Sequence, residues 1–404
     1  MIVRKIRRNE LKRCQELSAL CFEYSMGKSK LTPEEYARSV IENPRSLEDV
    51  HWDNRWAAFE DDGETMIATF VVIPWRAGFD GHETVMGGIG GVATLPHRRM
   101  SGAIRRCFEA ALPDMHRSGM VLSYLYPFSN AFYRRFGYEL ACDAVNWRLR
   151  LEGMPMPKLQ GTWHLCEPGN NRLADIRAVS RVRQQRYNCM VIAGETEYLW
   201  LEDNPCVTKE HTYVYYDRHG EPRSYLSVPA LPGKDLACSR FVFNDREGFL
   251  GLLALLKRFA ADHSHASMLL PSDVDLRGLL PEFSLGSVER TVVQYGMARV
   301  INVEAALGMA KARGSGTLRI AVSDDQIAEN NGVFEVRYEP GAANVVRRVC
   351  TAPDVEANIR DFSRLLLGCC DPDPEWLPEL KVNCPGEAVA ALFYRKPVFI
   401  TEKF

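Results

Sequence analysis

The sequence predicts an α+β protein of two or three domains. Its 404 residues are more than one hydrophobic core usually serves. With 46% hydrophobic and 25% charged residues, the composition is that of an ordinary globular protein. Strand and helix patterns alternate in the first part of the chain, and strands of period two stand between helical segments in the last part.

The first predicted domain, residues 1–150, begins with a hairpin. The turn Asp61-Asp62-Gly63 separates two runs rich in β-branched and aromatic residues. The segment "HETVMGGIGGVATL" is predicted as a third strand with many glycines. A helix over 101–115 follows, because apolar residues recur there at the spacing of one buried stripe: Ile104, Cys107, Phe108, Ala111 and Met115.

The end of this domain is predicted as a buried strand and a short helix. The strand "MVLSYLY" is too apolar to alternate, so we expect both of its faces to be covered until Pro127 ends it. Ser129 is suited to cap a short helix that reaches Phe136, with Gly137 at its C-terminal end.

Residues 151–296 repeat this plan faintly. The segment "REGFLGLLALLKRFAADH" predicts a helix, and "ASMLLPSD" predicts an apolar strand that a proline ends. The repeat indicates an internal duplication whose second copy lacks the glycine and arginine cluster of the first. From residue 297 to 404, "TLRIAVSD" and "GVFEVRYE" alternate as strands between two helical segments, which predicts a third, α+β domain without a chemical motif.

Charge and hydropathy exclude several classes of function. The net charge of -2 provides no general attraction to nucleic acid or to an acidic membrane. No apolar run approaches the roughly 20 residues of a membrane span, and the charged N-terminal "MIVRKIRRNELKRC" leads us to expect no signal peptide. We therefore expect a cytoplasmic protein with neither a nucleic acid nor a membrane partner. The cysteines form no C-x-x-C pair and are expected to be reduced.

The stretch "GGIGGVATLPHRRMSGAIRRCFEAAL" is predicted to bind phosphate. A helix start has unpaired N–H groups and partial positive charge, and Arg98 and Arg99 add full charges beside it. A dinucleotide fingerprint fits poorly, because Gly88, Gly90 and Gly91 lie inside the predicted strand and miss the G-x-G-x-x-G spacing. A Walker loop is excluded for this stretch, because the stretch lacks the required Gly-Lys-Ser/Thr.

The segment "RMSGAI" resembles the pyrophosphate loop of Gcn5-related N-acetyltransferases (GNAT), Arg/Gln-x-x-Gly-x-Gly/Ala. Arg99 and Gly102 match this pattern, whereas Ile104 stands where a small residue is usual. Downstream, "LYPFSNAFYRRFGYE" is similar to the strand, gap and short helix of that family. With "YGMARVINVEAAL" and the third domain, the whole chain resembles the Eis-type (enhanced intracellular survival) acetyltransferases.

The resemblance implies tandem acetyltransferase domains, catalytic over 1–150 and degenerate over 151–296, followed by a sterol-carrier-protein-like domain over 297–404. It implies acetyl-CoA as cosubstrate and no metal. The pantetheine arm of acetyl-CoA would bind strand amides, and the pyrophosphate would bind the loop. Phe128 and Ser129 would line the gap. The implied strand and loop residues are Val92, Ala93, Thr94, Arg99, Met100, Ser101, Gly102, Ala103, Ile104 and Arg105. The alternative for the strand residues is ordinary packing.

The resemblance also implies the catalytic pair. Tyr133 matches the position of the family's proton donor, and a phenol with a pKa near 10 is protonated at neutral pH. The alternative is a core tyrosine. The C-terminal carboxylate of Phe404 matches the proton acceptor, although a carboxylate of pKa near 3.5 would orient an ammonium and relay its proton through water. The alternative for Phe404 is a frayed terminus.

The acceptor implied by the resemblance is a polycationic amine, such as an aminoglycoside, a polyamine or a lysine side chain, bound to a homohexamer. Candidate acids for an acceptor pocket are Glu23, Asp61 and Glu402. The rival hypothesis is an inactive protein that binds acetyl-CoA or a lipid on the same fold. His263 and His265 form an H-x-H pair without an evident third ligand, so a surface loop is favoured over a metal site.

Overall fold

A computed structural model describes residues 1–26, 30–154, 156–194, 198, 201, 209–229, 235–280, 286–402 and 404. Contacts divide the chain into two units. The first comprises Met1–Ala141, Gly296–Lys396 and Glu402–Phe404, and the second comprises Cys142–Tyr295 and Pro397–Thr401.

The elements of these described ranges are numbered here in chain order. The strands are β1 (Ile2–Lys5), β2 (Arg55–Phe59), β3 (Met66–Phe79), β4 (His82–Thr94), β5 (Leu122–Leu125), β6 (Glu139–Leu140), β7 (Asp143–Arg150), β8 (Thr162–Leu165), β9 (Glu210–Tyr216), β10 (Pro222–Pro229), β11 (Asp235–Ala237), β12 (Arg240–Phe243), β13 (His265–Pro271), β14 (Val288–Gln294), β15 (Met297–Val300), β16 (Gly316–Ser323), β17 (Gly332–Tyr338), β18 (Val345–Val349), β19 (Val355–Asn358) and β20 (Lys381–Val382). The helices are α1 (Leu11–Phe22), α2 (Pro33–Ile41), α3 (Leu47–Val50), α4 (Ala103–Arg117), α5 (Asn130–Arg134), α6 (Leu173–Gln184), α7 (Arg246–Arg258), α8 (Val303–Met309), α9 (Ile359–Leu367) and α10 (Gly386–Leu392).

The main sheet of the first unit has the strand order β1-β2-β3-β4-β5-β15-β6. The strands β3 and β4 form the long antiparallel hairpin of this sheet, and β4 pairs with β5 in parallel. As predicted, β5 is central, between β4 and β15, and all of its residues are buried. The predicted apolar stripe of α4 is confirmed, since its residues all enter one core cluster with Phe70 of β3.

Two helix ends differ from the prediction. The helix α4 begins at Ala103 instead of 101, because Gly102 is in the left-handed region at φ 82°, and it continues past Pro113 to Arg117. The helix α5 is capped by Ser129 as predicted, but it ends at Arg134 instead of Phe136. The cause is a tightened last turn, in which the N–H of Phe136 donates to the carbonyl of Tyr133.

The predicted three-domain division remains a prediction, and the structure places two strands differently from it. The strand β7, assigned to the first domain by the range 1–150, pairs with β13 and β14 of the second unit. The strand β15, assigned to the third domain, pairs with β5 and β6 of the main sheet. Chain order alone does not assign these strands, because antiparallel partners come from distant segments.

The second unit has two sheets, of order β12-β10-β9-β8 and β11-β13-β7-β14. As predicted, the helix α7 and the strand β13 follow one another, and the side chain of Asp245 caps α7 at the N–H of Gly248. The surface loop expected for the H-x-H pair is wrong: His263 is buried, and His265 begins β13 beside Asp235. The pair flanks the start of a packed strand, where side chains have neighbours on both faces.

The last part of the first unit forms a sheet of order β18-β17-β16-β19-β20. The predicted alternation is confirmed, since Leu318, Ile320 and Val322 of β16 are buried and their neighbours are not. The predicted α+β class is therefore confirmed. Across the described ranges, every cysteine is a free thiol, and no helix has the length and apolar character needed to cross a membrane.

Candidate active site

The glycine-rich strand β4 separates from β5 halfway along its length. Parallel pairing runs from Met86 opposite Leu122 to Ile89 opposite Leu125, whereas pairing with β3 continues to Thr94. Beyond Ile89, the edge of β4 that faced β5 has no strand partner among the described residues. This edge corresponds to the gap that the resemblance implied next to the loop before α4.

A bulge turns the backbone of β4 at the start of the gap. Gly91 has φ 60°, and the register with β3 shifts there by one residue. After the bulge, the N–H of Leu95 donates to the carbonyl of Ile67 on β3 at 3.0 Å. Because N–H groups alternate along an antiparallel pair, the amides of Val92 and Thr94 point into the gap, and that of Ala93 points to β3. Two of the three predicted strand amides are thus available to a ligand.

The loop before α4 has the backbone geometry of an anion site. Met100 and Gly102 have φ values of 66° and 82°, and the side chain of Met100 is fully exposed. The N–H groups of Ala103, Ile104 and Arg105 form the first turn of α4, where the helix supplies no acceptor. Backbone amides of this kind converge on negatively charged groups.

The burial of Ile104 explains why a large residue is tolerated where the family pattern has a small one. Its side chain is only 7% exposed and belongs to the core cluster, so that only its backbone N–H faces the loop. Of the neighbouring arginines, Arg98 pairs with Glu60 and Arg105 with Glu109. Arg99 makes no ion pair within the described ranges and remains available to a phosphate.

Tyr133 lies in α5, inside a cluster of aromatic rings. Its ring is 2% exposed, and its centroid lies 6.0 Å from that of Phe108 and 5.3 Å from that of Phe128. Its hydroxyl forms no hydrogen bond with any described residue. Burial raises the pKa of Tyr133 above its ordinary value of 10, so the phenol keeps its proton.

The neighbouring tyrosines are engaged elsewhere. The hydroxyl of Tyr138 is 2.6 Å from Oγ of Ser123, and that of Tyr126 donates to the carbonyl of Glu402. Phe128, predicted to line the gap, is 70% exposed. Ser129 beside it uses its Oγ to cap α5 at the N–H of Phe132, at 3.4 Å.

The C-terminal residue lies against the glycine-rich strand. The ring centroid of Phe404 lies 5.6 Å from that of Trp75 and 5.5 Å from that of Tyr126. A Cβ added to Gly90 would stand 3.3 Å from the carboxyl carbon of Phe404, and one added to Gly88 would stand 2.8 Å from its ring. Sequence reasoning missed Trp75 and the spatial role of these glycines, and no local pattern signals either.

The three acidic candidates have different surroundings. The carboxylate of Asp61 pairs with the N-terminal amine, and its place in an acceptor pocket stays a prediction. The thiol of Cys21 donates to the carbonyl of Thr94 at 3.2 Å and so holds the end of α1 beside the gap. Glu23 follows at the end of that helix, and Glu402 precedes the terminal segment. Within the described ranges, no three His, Cys, Asp or Glu residues form a group that could hold a metal ion.

Two protein families match separate parts of the chain. Residues 2–141 match the family described as an acetyltransferase (GNAT) domain, and residues 303–374 match the sterol carrier protein domain. The first part of the chain is therefore a GNAT acetyltransferase domain, and a sterol carrier protein domain follows near its end. A search of curated proteins finds no match to the chain.

Solved structures share the fold over the whole chain. A probable N-acyltransferase from Enterococcus faecalis V583 matches with a TM-score of 0.85 and 18% identity, over 100% of this chain and 99% of that one. A GCN5-related N-acetyltransferase from Anabaena variabilis ATCC 29413 matches with a TM-score of 0.85 and 16% identity, over 100% of both chains. Eis1 from Mycobacterium abscessus matches with a TM-score of 0.76 and 16% identity, also over 100% of both.

Proposed function

We propose that the protein is an Eis-type N-acetyltransferase that transfers acetyl from acetyl-CoA to amines of polycationic acceptors, such as aminoglycosides, polyamines or lysine side chains. The observation that carries the proposal is the position of the Phe404 carboxyl group beside Gly90, where β4 leaves β5. A free carboxyl group at that point has a chemical use in amine acetylation, whereas a binding protein has no need of it.

Acetyl-CoA would bind along the gap and the loop. The pyrophosphate would accept hydrogen bonds from the free amides of the loop and of the first turn of α4, with Arg99 as counter-charge. The pantetheine arm would accept hydrogen bonds from the amides of Val92 and Thr94. It would thus lie along β4 as an added strand does. Phe128 and Ser129 would line the other side of the gap.

The transfer is a nucleophilic substitution at the thioester. The lone pair of the neutral amine forms a bond to the carbonyl carbon, and the resulting oxyanion accepts a hydrogen bond from a strand amide. The C–S bond then breaks, and the nitrogen gives up its extra proton to water, which leaves a neutral amide and a thiolate. The proton of Tyr133 passes to the departing thiolate sulfur, and water reprotonates the phenolate. The raised pKa of Tyr133 keeps this proton in place until negative charge develops on sulfur.

The carboxylate of Phe404 would act on the acceptor. With an ordinary pKa near 3.5, a C-terminal carboxylate is too weak to deprotonate an ammonium outright. It would instead hold the cationic amine near the thioester and pass its proton to water. Much of the rate enhancement then comes from positioning, because two substrates are held together.

The rival hypothesis is a protein that binds acetyl-CoA or a lipid without turnover. This hypothesis is favoured by Ile104, because a large residue stands where the family's pyrophosphate loop has a small one. The Ile104 side chain, however, points into the core and leaves the loop amides free. The hydroxyl of Tyr133, which has no hydrogen-bond partner among the described residues, likewise favours an active enzyme. By resemblance we also propose a cytoplasmic homohexamer, which sedimentation of the untagged protein would test.

The testing experiment measures thiol release from acetyl-CoA by untagged protein, with aminoglycosides, polyamines and lysine peptides as acceptors. We expect release that depends on the acceptor. A chain that ends at Lys403 serves as the matched control, which should bind acetyl-CoA and release little thiol. If the full-length protein releases no thiol with any acceptor, while calorimetry confirms acetyl-CoA binding, the result would support the rival hypothesis.

A further inference from the structure

A hydrogen bond holds the C-terminal segment shortly before its carboxyl group. The hydroxyl of Tyr126, the residue after β5, donates to the backbone carbonyl of Glu402. The Tyr126 ring also lies 5.5 Å from the Phe404 ring, measured between centroids. One side chain therefore contacts the terminal segment at two points, its polar atom on the backbone and its ring on the last side chain.

The opposite wall of this site is bare backbone. A Cβ at Gly88 would stand 2.6 Å from Nε1 of Trp75 and 2.8 Å from the ring of Phe404, which is closer than real Cβ atoms come. A Cβ at Gly90 would press on the carboxyl carbon of Phe404 at 3.3 Å. Glycine at both positions makes room for the terminal residue, so the strand and the rings together form its seat.

Aromatic contacts alone do not fix a terminal carboxylate. Ring packing restrains the side chain of Phe404, but rotation about the backbone can still swing the carboxyl group. The bond to Glu402 adds a second anchor two residues before the terminal carboxyl group. With both ends held, the carboxylate keeps one direction, and less ordering is left for the moment of reaction.

We propose that Tyr126 is a positioning residue for the C-terminal carboxylate, acting through the Glu402 carbonyl. This inference rests on the proposed function, in which that carboxylate orients the acceptor amine. The hydroxyl of Tyr126 sets where the carboxylate stands, and its ring supports the Phe404 side chain. Tyr126 thus affects turnover of the acceptor and leaves acetyl-CoA binding to the loop and the gap.

The test compares Tyr126→Phe with Tyr338→Phe in the full-length, untagged protein. Tyr338 is the matched control, because its hydroxyl also donates to a backbone carbonyl, that of Ala388 at 2.9 Å, outside the candidate site. Carboxypeptidase A is added to the native proteins, and loss of Phe404 is followed by mass spectrometry. In parallel, kcat and the KM values for acetyl-CoA and acceptor are measured by thiol release.

We expect Tyr126→Phe to lose Phe404 about fivefold to tenfold faster than wild type, the range for one lost hydrogen bond, and to lower kcat similarly. The KM for acetyl-CoA should not change, and Tyr338→Phe should match wild type in every readout. Unchanged loss of Phe404 would overturn the proposal whether or not the protein acetylates anything. Faster loss with unchanged kcat would also overturn it.

The two proposals fail separately. Faster loss of Phe404 in a protein without any thiol release would support the seat formed by Tyr126 and contradict the proposed acetyltransferase. Should Tyr126→Phe not fold, Gly90→Ala crowds the carboxyl carbon of Phe404 from the opposite wall and leaves the hydroxyl of Tyr126 in place. We expect the same faster release and lower kcat from Gly90→Ala, and wild-type values would refute the inference.

Discussion

Replacement of Tyr133 by phenylalanine should separate activity from stability. The Tyr133 hydroxyl has no hydrogen-bond partner among the described residues, so its removal leaves no buried group unsatisfied. The ring keeps its packing against Phe108, and we expect the free energy of unfolding to stay within about 0.5 kcal/mol of wild type. Loss of the proton donor should lower kcat by about 10²- to 10⁴-fold.

Tyr138→Phe is the matched control. Its ring centroid lies 6.4 Å from that of Tyr133, and it is equally buried, but its hydroxyl is bonded to Ser123. Removing that hydroxyl should cost about 1 kcal/mol of stability, because Ser123 keeps only its bond to the carbonyl of Gly87. The kcat of this variant should stay close to wild type, since Tyr138 has no role in the transfer.

The two variants are compared by urea unfolding and by thiol release at saturating acetyl-CoA and acceptor. We expect Tyr133→Phe to have a low kcat and wild-type stability, and Tyr138→Phe to have a wild-type kcat and lower stability. A Tyr133→Phe protein with wild-type kcat would refute the assignment of the proton donor. Equal losses of kcat in both variants would show that disturbance of the aromatic cluster, and not a lost proton, slows the reaction.

Three further outcomes are expected. Because burial raises the pKa of Tyr133, its proton-donating form persists below that raised value, and kcat of the wild type should not fall between about pH 7 and about pH 10; a decline there that Tyr133→Phe abolishes would contradict this. Gly102→Val should raise the KM for acetyl-CoA about tenfold with little change in kcat, because φ 82° strains a β-branched residue at the loop, and an unchanged KM would remove the loop from the binding site. Asp324→Asn should lower the free energy of unfolding by about 3 to 5 kcal/mol, since it leaves the fully buried Arg299 without its carboxylate, and a urea midpoint equal to wild type would contradict the pairing.

The sequence predicted the phosphate loop and its elements from local signals. The spacing of Arg99 and Gly102, the buried stripe of α4 and the Ser129 cap each depend on neighbours within about one turn of helix, and all of them have counterparts in the structure. Errors arose where a residue's surroundings come from elsewhere. His263, for example, was expected in a surface loop and is buried.

In the candidate site, too, some features depend on one short segment and others on distant segments. Backbone N–H groups at a helix start and a left-handed glycine are properties of a short segment, so the sequence by itself determined the loop and the class of α+β fold. The seat of Phe404 joins Tyr126 to Glu402 across 276 positions and needs glycine at two places on β4. Only the tertiary structure decided that the Tyr133 hydroxyl has no hydrogen-bond partner among the described residues and where the terminal carboxylate lies, because both depend on contacts between segments that are distant in the chain.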